Sequence, residues 1–137
     1  MILFHEFKLS DWWEIEDAIE PFAADKPIKE LTRGVSMTAR EDGKVMACGG
    51  IIFENDTEGT VWCKVSKKCL VKSFSWARTI KEAFSLMIKV SGDMDIKTYI
   101  LEGFCKGDKL ARLIGLKKSS ESEIFNGNTY YKYTAVA

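Results

Sequence analysis

Hydrophobic and polar positions change period several times along the chain, which predicts a mixture of strands and helices. Residues 2–9 fit a first strand, and a helix is expected next with Asp11 as its N-cap and Glu14 at its third position. That helix is expected to end at Glu20, because the proline that follows lacks an amide proton and disfavours a helical residue before it. A second short helix is predicted over residues 27–33.

A meander of three antiparallel strands is expected in the middle of the chain. Residues 35–40 alternate apolar and polar side chains, an Asp-Gly pair at 42–43 favours a type I′ hairpin, and residues 44–53 are apolar on both faces. Turn-forming residues at 55–59 precede a third strand over 60–66. The second strand of this meander should therefore be buried on both sides.

Helical spacing returns in the second half of the chain. Apolar side chains recur every third or fourth position over residues 73–91, which predicts the longest helix. A strand over 98–102 and a helix capped by Asp108 and ended by Gly115 should follow. An Asn-Gly pair within residues 117–136 predicts a final β-hairpin.

Composition fits one globular domain that spans residues 1–137. Apolar residues make up 46% of the chain and charged residues 29%, which is typical of a chain that folds alone. The longest apolar run, over residues 45–53, is under half of the roughly 20 residues that a membrane span requires. An acid at position 6 follows the start too closely for a signal peptide, so we expect a protein that is not secreted and has no membrane span.

Charge is balanced overall but unevenly placed. Residues 1–63 hold 13 acids and 6 bases (−7), residues 64–89 hold 7 bases and 1 acid (+6), and residues 90–137 hold 7 bases and 6 acids (+1). The zero sum removes the net-charge argument for a nucleic-acid partner. Nucleic-acid binding through the basic block at 64–89 is kept as the weaker alternative, because the flanking charge is acidic.

The cysteines are expected to be free thiols, and no metal site is predicted. Cys48, Cys63, Cys69 and Cys105 include no CxxC pair, and His5 is the single histidine that could complete a zinc site. A four-thiolate site built on Cys63 and Cys69 with two distant partners is the alternative. We expect a structural role for His5, which lies in the first strand.

The order of the predicted elements resembles that of the GNAT N-acetyltransferases, with the strongest local match at residues 60–76. The resemblance implies an α/β (α+β) fold, with a mixed, mostly antiparallel sheet of about six to seven strands flanked by about four helices. It also implies that the loop before the long helix holds the pyrophosphate of acetyl-CoA. The first amides of a helix lack intrahelical acceptors, and the helix dipole favours an anion there.

Alignment of Val65 with the family's strand-end valine shows an eroded cofactor loop. Leu70 stands where the family has arginine or glutamine, and serines stand where it has glycine or alanine. Small serine side chains still allow a phosphate to approach, and nearby lysines are expected to replace the lost positive charge. The cofactor-binding residues that the resemblance implies are Val65, Lys67, Lys68, Lys72, Ser73 and Ser75.

The resemblance also assigns the catalytic positions. The family commonly has a tyrosine four residues before the helix-ending glycine, where it protonates the leaving thiolate, and this chain has Ala111 there. Tyr131 is the substitute acid that we consider, with Tyr130 and Tyr133 of the same strand as alternatives. Glu102, at the end of a strand beside the proposed thioester, is the candidate base, and the alternative is Glu54.

A closer resemblance is to short phage proteins of GNAT-like fold, such as the small internal virion proteins of podoviruses. It is diffuse and covers most of residues 34–134. The points of similarity are Met46-Ala47-Cys48-Gly49-Gly50, residues 62–66, Ile114-Gly115-Leu116-Lys117, and Phe125-Asn126-Gly127 before Tyr130-Tyr131.

Two functions fit this resemblance. The first is a phage acetyltransferase-like protein that binds acetyl-CoA and transfers the acyl group weakly to an amine of a host or virion component. The second is a non-catalytic relative that binds a virion or host protein, with Trp12, Trp13 and Trp76 as candidate anchors. Both place the protein in the host cytoplasm or in the virion.

Overall fold

Seven strands and four α-helices make up the part of the chain that the computed structural model describes, residues 2–18, 27–71 and 74–135. The strands are β1 (Ile2–Glu6), β2 (Gly34–Glu41), β3 (Lys44–Phe53), β4 (Glu58–Val65), β5 (Asp95–Leu101), β6 (Leu116–Phe125) and β7 (Asn128–Ala135). The helices are α1 (Leu9–Glu14), α2 (Lys67–Val71), α3 (Phe74–Val90) and α4 (Cys105–Leu113), with a short 3-10 helix at Ile28–Thr32.

The strands form one mixed sheet in the order β1-β2-β3-β4-β5-β7-β6. Every neighbouring pair is antiparallel except β4 and β5, which run parallel. A parallel neighbour requires a crossover connection, and α3 lies on that connection. The predicted mixed, mostly antiparallel sheet is confirmed.

Both predicted type I′ hairpins are present. Asp42 and Gly43 have φ angles of 51° and 82°, and Asn126 and Gly127 have φ angles of 50° and 79°. Both central residues of a type I′ turn need positive φ, which asparagine, aspartate and glycine adopt most readily. These two dipeptides set the registers of β2 with β3 and of β6 with β7.

Helices cover both faces of the sheet, and β3 contributes side chains to both layers. Ile51 lies in the core cluster that includes α3 and α4, whereas its neighbour Ile52 lies in the cluster beneath α1 and the 3-10 helix. Successive side chains of a strand point to opposite faces, so α1 and α3 lie on opposite sides of the sheet. Because both faces of β3 are covered, its apolar run is uninterrupted.

The first helix begins earlier and ends earlier than predicted. Lys8, and not Asp11, is the N-cap residue, and Asp11 at the third position accepts a hydrogen bond from the Lys8 amide at 3.0 Å. The carboxylate of Asp11 also accepts from the Thr38 hydroxyl at 2.8 Å and contacts Arg40 at 3.1 Å. The helix ends at Glu14, and the predicted end at residue 20 lies outside the described residues.

Other predicted boundaries also differ from the structure. Helix α4 is capped at Phe104 and not at Asp108, because the carboxylate of Asp108 accepts a hydrogen bond from Tyr133 of β7. The β4–α3 connection contains an additional short helix, α2, which the sequence pattern did not indicate. Strand β5 begins at Asp95 and ends at Leu101, so Glu102 lies in the turn after it.

Asp11 should contribute stability that depends on pH. Burial alone would raise its pKa, but the Lys8 amide, the Thr38 hydroxyl and the charge of Arg40 together hold that pKa below its usual value. We expect Asp11→Asn to lower the free energy of unfolding by about 1–3 kcal/mol at pH 7.

This difference should narrow as the pH falls through about 4, where the carboxylate of the unfolded chain takes up a proton. Urea unfolding of the unsubstituted protein and of Asp11→Asn at pH 7 and pH 3.5 tests this expectation. Glu16→Gln, a substitution at an exposed position, is the control. A difference that is the same at both pH values would contradict the assignment.

Candidate functional site

The parallel strands β4 and β5 part soon after they meet. Their paired residues are 58–60 of β4 and 95–97 of β5. Beyond that point the Thr98 hydroxyl donates a hydrogen bond to the Val61 carbonyl at 2.8 Å, and both residues are fully buried. The two strands thus open toward their carboxyl ends, at the place where ligands bind in open sheets with parallel strands.

The junction between β4 and α2 is the predicted cofactor loop. Val65 is fully buried at the end of β4, and Lys67 and Lys68 have exposed positions at the start of α2. Lys72 and Ser73 lie outside the described residues. Ser75 lies in the first turn of α3, and its side chain is likewise outside what the structure describes.

Backbone amides at this junction already have acceptors within the chain. The Lys67 amide donates to the Asp17 carbonyl at 2.9 Å, the Lys68 amide to the Ser66 hydroxyl at 3.2 Å, and the Cys69 amide to the Ser66 carbonyl at 3.0 Å. Ser66 also forms a bridge with Ala18. These three amides are therefore occupied, and an anion would have to use the amides that follow them.

An ammonium group in an aromatic setting lies beside this junction. The Nζ of Lys64 is 2.6 Å from the Trp12 carbonyl, 4.5 Å from the centre of the Trp12 ring and 5.8 Å from that of Trp13. Burial lowers the pKa of Lys64. Sequence reasoning missed this contact because Trp12 and Lys64 are 52 positions apart.

The two candidate catalytic side chains have different surroundings. Glu102 is exposed in the turn after β5, and its amide donates to the Thr129 carbonyl at 2.9 Å. Tyr131 is half-buried on β7, opposite Ile100 of β5, and the Nζ of Lys118 lies 4.1 Å from the centre of its ring. Acid and base roles for the two residues remain predictions.

Tyr133 is engaged in a structural hydrogen bond. Its hydroxyl donates to Asp108 at 2.6 Å, and its ring is almost fully buried. Burial and the neighbouring carboxylate raise the pKa of Tyr133, which makes its hydroxyl a weak acid. Ala111 of α4, at the position where the resemblance implies a tyrosine, is fully buried in the core.

None of the four cysteines forms a disulfide bond. Cys48, Cys63 and Cys69 are buried, and Cys105 is exposed. Burial raises the pKa of Cys48 to about 12. In the described part of the chain no three His, Cys, Asp or Glu side chains are placed to hold a metal ion. The Nε2 atom of His5 accepts a hydrogen bond from Arg40 at 2.9 Å.

No family model matches the chain, and no curated protein sequence matches it. Solved structures do match. An IAA acetyltransferase from Bacillus cereus superimposes with a TM-score of 0.67 at 12% identity, over 98% of this chain and 99% of that one. The chain has a GNAT-like fold. The same scaffold is seen in two acetyltransferases whose structures contain the cofactor or its product.

An acetyltransferase from Bacillus subtilis in complex with CoA matches with a TM-score of 0.64 at 15% identity, over 98% of this chain and 96% of that one. A GNAT family acetyltransferase from Elizabethkingia anophelis with acetyl-CoA bound matches with a TM-score of 0.58 at 13% identity, over 88% of this chain and 98% of that one.

Among the described residues, no helix combines the length and the apolar character that a membrane span requires.

Tyr133→Phe tests whether Tyr133 has a structural role. Removal of the bond to Asp108 should lower the free energy of unfolding by about 1 kcal/mol at neutral pH. The Tyr133 hydroxyl and the Arg112 guanidinium hold the pKa of Asp108 below its usual value, so the loss should shrink as the pH falls through about 4. Chemical unfolding at neutral pH and below pH 4 measures this loss of stability.

Tyr130→Phe is the control and should change the free energy of unfolding little. Equal losses of stability for Tyr133→Phe and Tyr130→Phe would contradict a structural role for Tyr133.

Proposed function

We propose that this protein binds acyl-CoA at the opening between β4 and β5 and transfers the acyl group slowly or not at all. The observation that carries the proposal is the parting of β4 and β5 after three residue pairs. An opening of this kind admits an extended ligand between two strands, and the N-terminus of α3 would face the ligand's phosphates, as the resemblance implies. Two structures with the same fold contain acetyl-CoA or CoA.

Charge at the junction supports this proposal. Lys67 and Lys68 have exposed positions at the start of α2, and their ammonium groups would offset the missing arginine or glutamine at Leu70. Lys72, Ser73 and Ser75 complete the proposed cofactor set, with Val65 forming the strand end. The acceptor would be an amine of a host or virion component, which is the substrate class that the resemblance to phage proteins implies.

Slow turnover follows from the side chains around the opening. Ala111 cannot protonate a thiolate, and the proton of Tyr133 is held by Asp108 at 2.6 Å. Loss of a positioned proton donor typically costs a factor of about 10² to 10⁴ in rate. The contributions to the rate that are left are positioning of the thioester and the candidate base and acid, Glu102 and Tyr131.

The second candidate function is binding without catalysis, as a phage protein that contacts a virion component or a host protein. It is favoured by the hydrogen bonds of the amides of residues 67–69, since each amide that already has an acceptor is not available to a pyrophosphate. Trp13 is the anchor that this function would use, because its side chain is 71% exposed, whereas Trp76 is buried.

Acetyl-CoA binding should depend on salt and on the junction lysines. We expect Lys67→Ala with Lys68→Ala to weaken binding at least about tenfold in isothermal titration calorimetry, since two charges near the phosphates are lost. Lys29→Ala with Lys117→Ala removes the same charge from exposed positions on other elements and should leave the affinity unchanged. Absence of heat at millimolar acetyl-CoA would reject the cofactor proposal and leave the second function.

Acetyl transfer should be slow even when acetyl-CoA binds. With no tyrosine at position 111, we expect release of free CoA in the presence of amine acceptors to be at most marginally above the uncatalysed rate. Glu102→Gln and Tyr131→Phe should then change it little. Rapid transfer to a defined amine that either substitution abolishes would contradict this expectation and establish an active enzyme.

A further inference from the structure

Lys64 lies on the part of β4 that β5 leaves open. Strand β5 pairs with residues 58–60 of β4, and the Thr98 hydroxyl occupies the Val61 carbonyl. Beyond that point β4 pairs with β3 among the described strands, and Lys64 lies opposite Cys48. The acyl-CoA of the proposed function would extend through this opening. Lys64 therefore belongs to the strand segment that borders the proposed ligand.

The groups around the Lys64 ammonium are uncharged. Its Nζ atom donates to the Trp12 carbonyl at 2.6 Å and lies 4.5 Å and 5.8 Å from the ring centres of Trp12 and Trp13. Burial raises the pKa of the Cys48 thiol to about 12, so this cross-strand neighbour carries no charge at neutral pH. No carboxylate among the described residues forms an ion pair with Lys64. The positive charge thus lacks an anionic partner in that part of the chain.

These surroundings favour the neutral amine of Lys64. Burial lowers its pKa, whereas the hydrogen bond that Lys132 donates to Glu121 at 2.9 Å raises the pKa of Lys132. A larger fraction of Lys64 is therefore unprotonated at a given pH. The unprotonated amine has the lone pair that attacks a carbonyl carbon, and desolvation is a common way to activate a lysine nucleophile.

We propose that Lys64 is an acyl acceptor within the chain, a role that rests on the proposed function because the donor is acyl-CoA bound between β4 and β5. The Nζ atom attacks the thioester carbonyl carbon, a C–N bond forms and the C–S bond breaks. CoA leaves as the thiolate and takes up the proton that the nitrogen releases. The N–H of the new amide can still donate to the Trp12 carbonyl, and the acyl group adds apolar surface beside the two indole rings.

The reaction occurs once per chain, because the amide that forms is no longer a nucleophile. It releases at most one equivalent of CoA and adds no turnover with free amines. Modification of Lys64 is therefore compatible with the slow transfer expected for this protein.

Peptide-mapped mass spectrometry of the unsubstituted protein after incubation with acetyl-CoA tests this role. We expect Lys64 to be acetylated at least about tenfold faster than the exposed Lys29, since one unit of pKa changes the neutral fraction about tenfold. The rate should saturate over the acetyl-CoA concentrations at which calorimetry shows binding, and excess CoA should suppress it. Lys64→Arg should lose this acetylation, and the matched Lys29→Arg should retain it.

The outcomes separate this role from cofactor binding. Heat of acetyl-CoA binding without acetylation of Lys64, or with acetylation no faster than that of Lys29, would overturn the acceptor role and leave the proposed function intact. Absence of both heat and acetylation would reject the two together. Acetyl phosphate carries the acyl group without the nucleotide. If it acetylates Lys64 as fast as acetyl-CoA does, and neither rate saturates, the donor is free in solution and the acceptor role is likewise overturned.

Discussion

The parallel pairing of β4 and β5 is the constraint on which the rest of the structure depends. It lasts for three residue pairs, and buried backbone groups beyond it still need partners. Thr98 supplies one by donating its hydroxyl proton to the Val61 carbonyl. A side chain thus replaces a ladder hydrogen bond at the point of parting. Because parallel strands need a crossover, the same constraint places α3 against the sheet.

The N-terminal segment closes the other side of this junction. Asp17 accepts the Lys67 amide, and Ala18 bridges to Ser66. Upstream, the Asp11 carboxylate joins α1 to β2 through Thr38 and Arg40. Any ligand that required the Lys67 amide would have to displace a bond whose net contribution is about 1 kcal/mol. The segment that follows the first helix therefore occupies one amide of the junction between β4 and α2.

Local sequence signals predicted the elements well, and contacts between distant residues explain the errors. The Asp-Gly and Asn-Gly turns need only their own backbone angles, and both are correct. Asp11 has the chemistry of an N-cap, but its partners Thr38 and Arg40 lie 27 and 29 positions away and hold it at the third helical position. Asp108 likewise has its partner, Tyr133, 25 positions away. No periodicity in the sequence reports such pairs.

The candidate site was harder to predict than the fold because a scaffold constrains shape more than chemistry. Likeness at 12–15% identity establishes how the strands and helices are arranged, while single side chains decide what the opening can do. Binding an extended thioester requires an opening, free amides and positive charge, and several residues can share those tasks. Turnover also benefits from a positioned proton donor, whose loss typically costs a factor of about 10² to 10⁴ in rate. Ala111 is fully buried, so a tyrosine there would have to displace core atoms before it could act as an acid. Packing around Ala111 thus opposes a tyrosine at that position, which is the acid that the resemblance to the GNAT acetyltransferases implies.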